Sequence, residues 1–327
     1  MKNLLITGGC GFIGSNYINY IFEKYKDFNI VNIDAMYYCA SENNVNEEVR
    51  NSERYKLIKG NLCSYDLVYH IINNYNIEYI IHFAAQSHVQ NSFEDAIQYT
   101  KDNIVGTHNL LEAVRKYGKI KKFIHVSTDE VYGESMIEKN ENKKTEESIL
   151  CPTNPYAATK ASAELIAQSY YYSFNIPIII TRGNNVYGPN QYPEKIIPKF
   201  IKLLSENKKV TIQGDGSNVR AFIHVYDVVR AFDIILEKGV IGEIYNIGSD
   251  DNEEYTVRSV AEILIKKIKR NDNYKNYENY DDYIEYIVDR PFNDKRYYIS
   301  NEKIKSLGWE ITQNFDEGID NLIKEYS

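Results

Sequence analysis

The chain has 327 residues, 43% of them apolar and 26% charged, and a formal net charge of −8 at pH 7. This length can bury a large core as one big or two unequal domains, and the composition is that of a soluble globular protein. The negative balance excludes the electrostatic footprint of a nucleic-acid binder or of a protein held on an anionic membrane, so an anionic ligand must be met by local arginines and backbone amides.

No apolar run approaches the roughly 18 residues that span a bilayer. Leu4-Leu5-Ile6 reads as a buried strand rather than a secretory segment, so a soluble cytoplasmic protein without a targeting signal is expected. Cys10, Cys39, Cys63 and Cys151 are scattered, with no Cys-x-x-Cys and no histidine at ligand spacing, so neither a disulfide framework nor a metal site is expected.

In chain order, 2–7 reads as a strand and is followed at once by Gly8, Gly11 and Gly14 in a G-x-x-G-x-x-G pattern. The helix that follows carries Ile13, Tyr17, Ile18 and Ile21 on one face. Such a turn lets a pyrophosphate approach the amides at a helix N-terminus. A second strand, 30–34, ends in Asp34 about 20 residues after the last glycine, where a carboxylate accepts from ribose hydroxyls and repels a 2′-phosphate. Dinucleotide binding follows, with NAD preferred over NADP.

The alternation continues with a strand at 55–59, a helix from Ser64 or Tyr65, a strand at 78–84 and a helix at 100–117. The small residues Ala84 and Ala85 leave room for a cofactor. This pattern calls for a doubly wound, Rossmann-like parallel α/β sheet. The next strand, from Phe123, ends in Ser127-Thr128-Asp129-Glu130. A hydroxyl with two acids is more often a helix cap or turn, but the C-terminal edge of such a sheet is where ligands bind, and the pair can serve as general acid and base.

After a loop at 138–147, Pro155 opens a helix running to about Phe174. It carries Tyr156 and Lys160 at i and i+4, on one face. An ammonium there favours the phenolate and is expected to lower the tyrosine pKa. A strand at 178–181 leads to a polar, turn-rich loop at 183–190, and then come a helix at 197–204, a strand at 209–213 and a turn at 214–218. Residues 220–225 run into a helix at Tyr226, and 243–248 is one more strand. The Asn/Asp/Tyr-rich stretch 271–286 reads as a loop, and Arg290 stands beside the rigid turn at Pro291.

Taken together, GGCGFIGS near the start, HFAAQSHVQNSF at 82–93, STDEVYG at 127–133, NPYAATKA at 154–161, RGNNVYGPNQYPEKIIP at 182–198, GDGSNVR at 214–220 and DRPFNDKRY at 289–297 resemble the extended short-chain dehydrogenase/reductases, specifically the nucleoside-diphosphate-glucose 4,6-dehydratases. The likeness spans nearly the whole chain. It implies that Tyr156 deprotonates the glucose O4 hydroxyl with Thr128 on the same oxygen, while a hydride leaves C4 for NAD. Glu130 then removes the C5 proton and Asp129 protonates O6, which departs as water before the hydride returns to C6. The related 4-epimerases carry small residues in place of the acid pair.

The resemblance further implies that Lys160 holds the nicotinamide ribose and that Gly8, Gly11, Phe12, Ile13, Asp34, Asn61, Leu62 and Ala84 hold the rest of the cofactor. Asn61 departs from the family's usual aspartate. Ser87, Asn185, Lys195, Arg220, Asn246, Arg290 and Asn293 fall to the substrate, with Arg220 and Arg290 as diphosphate clamps. No metal is implied. Residues 1–182 are expected to form the NAD-binding domain, with 220–248 returning to it, and 183–219 with 249–327 a smaller nucleotide-sugar-binding domain. Gln86, Gly183-Asn184-Asn185, GDGSNVR and PFND are similar to the dehydratase half of plant-type UDP-rhamnose synthases, which favours UDP-glucose over dTDP-glucose. A homodimer through the helices at 100–117 and 156–174 is also implied.

Overall fold

The alternating pattern of the N-terminal half folds as one parallel sheet in the computed structural model, which describes residues 1–136, 142–250, 253–269 and 279–326. The elements are β1 (Lys2–Thr7), α1 (Phe12–Lys24), β2 (Phe28–Asp34), α2 (Glu47–Arg50), β3 (Tyr55–Lys59), α3 (Tyr65–Asn74), β4 (Tyr79–His82), α4 (Val89–Glu94), α5 (Ala96–Tyr99), α6 (Gly106–Tyr117), β5 (Lys122–Thr128) and α7 (Pro155–Phe174). There follow β6 (Ile178–Gly183), β7 (Asn185–Tyr187), α8 (Ile196–Ser205), β8 (Val210–Gln213), β9 (Val219–His224), α9 (Val225–Lys238), β10 (Ile244–Ile247), β11 (Glu254–Thr256), α10 (Val257–Lys269), β12 (Ile284–Ile287), α11 (Glu302–Lys305) and α12 (Phe315–Tyr326).

The large sheet has the order β10-β6-β5-β4-β1-β2-β3, and every pairing in it is parallel. Successive side chains of a strand point to opposite faces. Leu4 and Ile6 of β1 therefore join Tyr17, Ile18 and Ile21 of α1 and Phe232 of α9 on one side, while Leu5 joins Leu110, Leu111 and Val114 of α6 on the other. The strand order reverses between β1 and β4, so the crevice at their C-terminal ends is the expected ligand site.

The remainder builds a smaller lobe with a three-stranded sheet, β11-β9-β7, and a parallel pair, β12 and β8, packed against α8, α10 and α12. Of the stretch 220–248, α9 packs beside α1 and β10 closes the edge of the large sheet, but β9 pairs with β7 and β11 instead. The reason is its alternation: Phe222 faces the small-lobe core and Ile223 the large-sheet core.

Four local expectations are corrected. The strand expected at 78–84 stops at His82, where its ladder with β5 ends. The helix expected from Thr100 starts as a π-wound turn, Thr100–Val105, and is preceded by two short helices, α4 and α5, that have no apolar periodicity to announce them. The loop at 183–190 contains β7. Of the stretch 271–286, residues 271–278 lie outside the described residues, while 284–286 belong to β12, an edge strand with only Ile284 buried and hence no alternation to read.

Candidate active site

The loop from β1 to α1 crosses the crevice. Gly8 has φ +72°, and a Cβ there would stand 2.7 Å from the Ala84 Cα, so the small residues after β4 serve the close approach of two protein backbones. A Cβ on Gly14 would meet the Gly8 carbonyl at 2.4 Å. No side chain caps the N-terminus of α1 at Gly11, which leaves its first amides to an anion. At the end of β2, Asp34 accepts hydrogen bonds from the amides of Cys10 (2.9 Å) and Met36 (2.8 Å), and burial pushes its carboxyl up.

Gly8, Gly11, Gly14 and Asp34 line an open cleft of about 250 Å³, together with Phe12, Ile13, Asn61, Leu62 and Ala84. Ser87, Tyr156, Lys160 and Lys195 complete its far end. The glycine turn and the carboxylate fit the pyrophosphate and ribose of a dinucleotide. The Asn61 carboxamide accepts from the Cys63 amide (2.7 Å) and donates to Tyr37 (2.9 Å) and Asp102 (3.2 Å). Asp102, on the π-wound turn, also accepts from Gln86 (3.0 Å) and Gln98 (2.9 Å). It puts a negative charge in this wall, and sequence reasoning passed over it.

The acid pair sits where β5 runs out. The Thr128 hydroxyl donates to Asp129 Oδ1 at 3.1 Å and accepts from the Glu130 amide at 3.3 Å, so it caps the turn as well as facing the site. Asp129 is 2% exposed, and its Oδ2 accepts from Asn184 at 2.6 Å. Burial, and then the neighbouring Glu130, push Asp129 up to about 7. Burial also raises Glu130, whose Oε2 accepts from Asn154 (3.0 Å) and lies 3.3 Å from the Tyr297 hydroxyl. Asn154 is at the same time the N-cap of α7, accepting from the Ala157 amide at 2.9 Å, so one residue fixes both the helix start and the acid.

Tyr156 and Lys160 share one face of α7 and reach the same end of the cleft. One expectation fails. Burial is the first cause of a rise in the Tyr156 pKa, and Glu130 the second, with the Thr128 hydroxyl opposing them; Lys160 is not among the main influences. The Lys160 ammonium donates to the Val126 carbonyl at 2.7 Å, and burial brings its pKa down to about 8.

On the substrate side, Arg220 donates to Asn293 Oδ1 at 3.2 Å, and Asn293 donates to Asp289 at 2.9 Å. Arg290 is depressed by burial and by the nearby Arg220, and its buried Nε makes no hydrogen bond among the described residues. Lys195 donates to the Ser87 carbonyl at 2.8 Å across the cleft. Asn185 lies in β7, half-buried and outside the cleft lining.

Asn246 is the clear misplacement. It is fully buried, its Oδ1 accepting from Tyr132 (2.8 Å) and its Nδ2 donating to the Lys144 carbonyl (3.3 Å). It belongs to the support beneath the acids, where Arg182 donates to Tyr132 at 2.7 Å and pairs with Glu164 at 2.7 Å. Tyr297 and Asp294 were missed. The Tyr297 hydroxyl donates to Asp294 at 2.5 Å, and Asp294 also accepts from Thr153 at 2.7 Å. Among the described residues no cluster of His, Cys, Asp or Glu could hold a metal, and no helix is long and apolar enough to cross a membrane.

Residues 5–322 match the family described as GDP-mannose 4,6 dehydratase. The whole chain is 44% identical to part of the Arabidopsis thaliana trifunctional UDP-glucose 4,6-dehydratase, UDP-4-keto-6-deoxy-D-glucose 3,5-epimerase and UDP-4-keto-L-rhamnose-reductase. It spans only 47% of that protein's length. It is 45% identical to the dTDP-D-glucose 4,6-dehydratase of Dictyostelium discoideum, covering all of this chain and 82% of that one. Among solved structures it is similar to the dTDP-glucose 4,6-dehydratase of Bacillus anthracis in complex with NAD, with TM-score 0.87 and 38% identity over 100% of this chain and 96% of that chain.

Proposed function

Because the chain belongs to the GDP-mannose 4,6 dehydratase family, we propose that it is an NAD-dependent nucleotide-sugar 4,6-dehydratase that converts UDP-glucose to its 4-keto-6-deoxy sugar. The observation that carries this is the buried Asp129 and half-buried Glu130 set against Tyr156, which lines the dinucleotide cleft together with Lys160. Tyr156 and Lys160 alone suit oxidation of a hydroxyl, whereas two acids beside them suit the removal of water.

Gly8, Gly11, Phe12, Ile13, Asp34, Asn61, Leu62 and Ala84 would hold NAD, which would supply a reversible hydride acceptor at this end of the cleft. Tyr156 takes the O4 proton with Thr128 on the same oxygen, and Lys160 fixes the ribose end of the cleft. A 4-ketone acidifies the C5 proton, which Glu130 removes. Asn154 donates to the Glu130 carboxylate and so favours its basic form. Asp129, raised to about 7, keeps a proton available near neutral pH and delivers it to O6 as water leaves. Arg220 and Arg290 clamp the diphosphate, with Asn293 bracing Arg220. Ser87, Asn185 and Lys195 are assigned to the sugar side.

UDP is preferred to dTDP as the carrier because Gln86, Gly183-Asn184-Asn185 and the GDGSNVR and PFND motifs are similar to those of plant-type enzymes. The identity to proteins named for dTDP-D-glucose makes dTDP-glucose the second reading. The bases differ by one methyl, worth about 1–3 kcal/mol in a pocket. Exposed apolar residues on α7, among them Leu165 and Tyr172, support a homodimer formed across that helix and α6.

Parallel incubations with UDP-glucose and dTDP-glucose test the proposal. The expected result is loss of one water and the alkaline absorbance of a 4-keto sugar, faster with UDP-glucose. A galactose product would mean an epimerase. No turnover of either sugar would leave an idle dinucleotide-binding scaffold and refute the proposal.

A further inference from the structure

The loop between β6 and β7 places Asn184 against the acid pair, with 6% of its surface exposed. Its carboxamide is locked at both ends. Oδ1 accepts from the Ser249 backbone amide at 3.1 Å, and Nδ2 donates to Asp129 Oδ2 at 2.6 Å. Because the oxygen is committed to a backbone donor, only the NH₂ can face Asp129, so the surrounding network fixes the amide's sense. The fit is tight: a Cβ on Gly248 would come within 2.8 Å of Asn184 Oδ1. The backbone is anchored too, since the Asn184 amide donates to the Ile247 carbonyl at 3.0 Å.

An oxygen that receives an N–H at this distance cannot also carry a proton pointing the same way. We propose that Asn184 is a positioning residue that keeps Asp129 Oδ2 unprotonated and so confines the transferable proton to Oδ1, where the rotatable Thr128 hydroxyl donates to the ionised acid at 3.1 Å and turns to accept from the protonated one. This rests on the dehydratase reading and names what gives the general acid its direction. The groups acting on Asp129 are Glu130 and Thr128 beside it in the chain, Asn184 from the β6–β7 loop and Arg220 on β9, and Asp129 in turn acts on Tyr156 of α7. Burial and then Glu130 raise its pKa, while the hydrogen bonds from Asn184 and Thr128 and the charge of Arg220 lower it. Asn184 thus keeps the acid from holding its proton too tightly to release it, and Thr128 marks the side from which it leaves.

The test uses Asn184→Asp, which keeps the shape and the acceptor for Ser249 but replaces the donor, and Asn184→Ser, which keeps a hydroxyl donor. In Asn184→Asp the alkaline limb of the kcat profile is expected to move up by about one pH unit or more. Reduced cofactor should accumulate during turnover, because C4 oxidation continues while water loss lags, and KM should change by less than about threefold. Asn184→Ser should lie between this variant and the wild type. The pH dependence of thermal melting gives a readout that needs no turnover, and its carboxyl titration should move up in the same order. An unmoved limb and an unmoved melting titration in both variants would overturn the positioning role. If the wild type forms no 4-keto product, the dehydratase reading fails instead, and the melting titration still reports on Asn184. If Asn184→Asp does not fold, the serine variant's intermediate shift decides.

Discussion

Replacing Asp129 with asparagine should abolish water loss and make the protein more stable, and the stability gain should depend on pH in a defined direction. Asp129 is 2% exposed, and burial with the adjacent Glu130 raises its pKa from 3.8 to about 7. A carboxyl whose pKa is raised by folding contributes stability below its unfolded pKa and loses that contribution as pH rises through the folded value. The shift is about 3 units, and at 1.36 kcal/mol per unit this amounts to at most about 4 kcal/mol by pH 8. Asparagine has no charge to strain the site. Its oxygen can keep accepting from Asn184, and its NH₂ can turn to Thr128. With an unfolding entropy of about 2.1 cal/mol/K per residue, the gain corresponds to roughly 6 °C in melting temperature at pH 8. The assay is paired thermal melts of wild type and Asp129→Asn from pH 4 to pH 8.5. The difference should be largest at high pH and fade toward pH 4. A difference constant across that range would mean that the carboxyl is not raised by its surroundings, and the acid assignment would lose its physical basis.

Two further outcomes follow from buried and cleft-lining groups. His82 shares hydrogen bonds with Thr7 (2.7 Å) and Thr107 (2.9 Å), and burial lowers its pKa from 6.5 to about 3. Its contribution is present above its unfolded pKa and is lost as pH falls from about 6.5 toward 3. His82→Gln should therefore be less stable at pH 7.5 yet lose melting temperature less steeply between pH 6 and pH 4; a slope equal to wild type would count against it. Asp34→Ser should reduce the preference for NAD over NADP by at least about tenfold in a fluorescence titration, since the carboxylate no longer repels a 2′-phosphate. An unchanged preference would move cofactor selection elsewhere in the cleft.

The sequence was most readable where local pattern and chemistry coincide. The glycines at 8, 11 and 14, the strand ending at Asp34 and the i, i+4 pair on α7 all stand where their spacing puts them. It was least readable where partners come from afar. Asn154 and Tyr297 reach Glu130 from 24 and 167 residues away, and Asn184 reaches Asp129 across 55. Asn246 looked like the polar end of an open strand. Nothing in β10 itself discloses that Lys144 and Glu146 lie over it and take up its backbone and side chain. For the Tyr156 phenol, proximity in sequence to Lys160 was a poor guide, because the depth of burial and a backbone carbonyl decide where the ammonium's influence goes.

β9 carries one more consequence. Phe222 and Ile223 are neighbours in the chain yet serve two different cores. Loss of either core would release half of that strand from the other, so the two lobes are expected to unfold together. The site follows the same logic: Arg220 is rooted in a strand paired with β11 on one side and β7 on the other, so the diphosphate clamp proposed for it would be held by both lobes instead of swinging with a hinge.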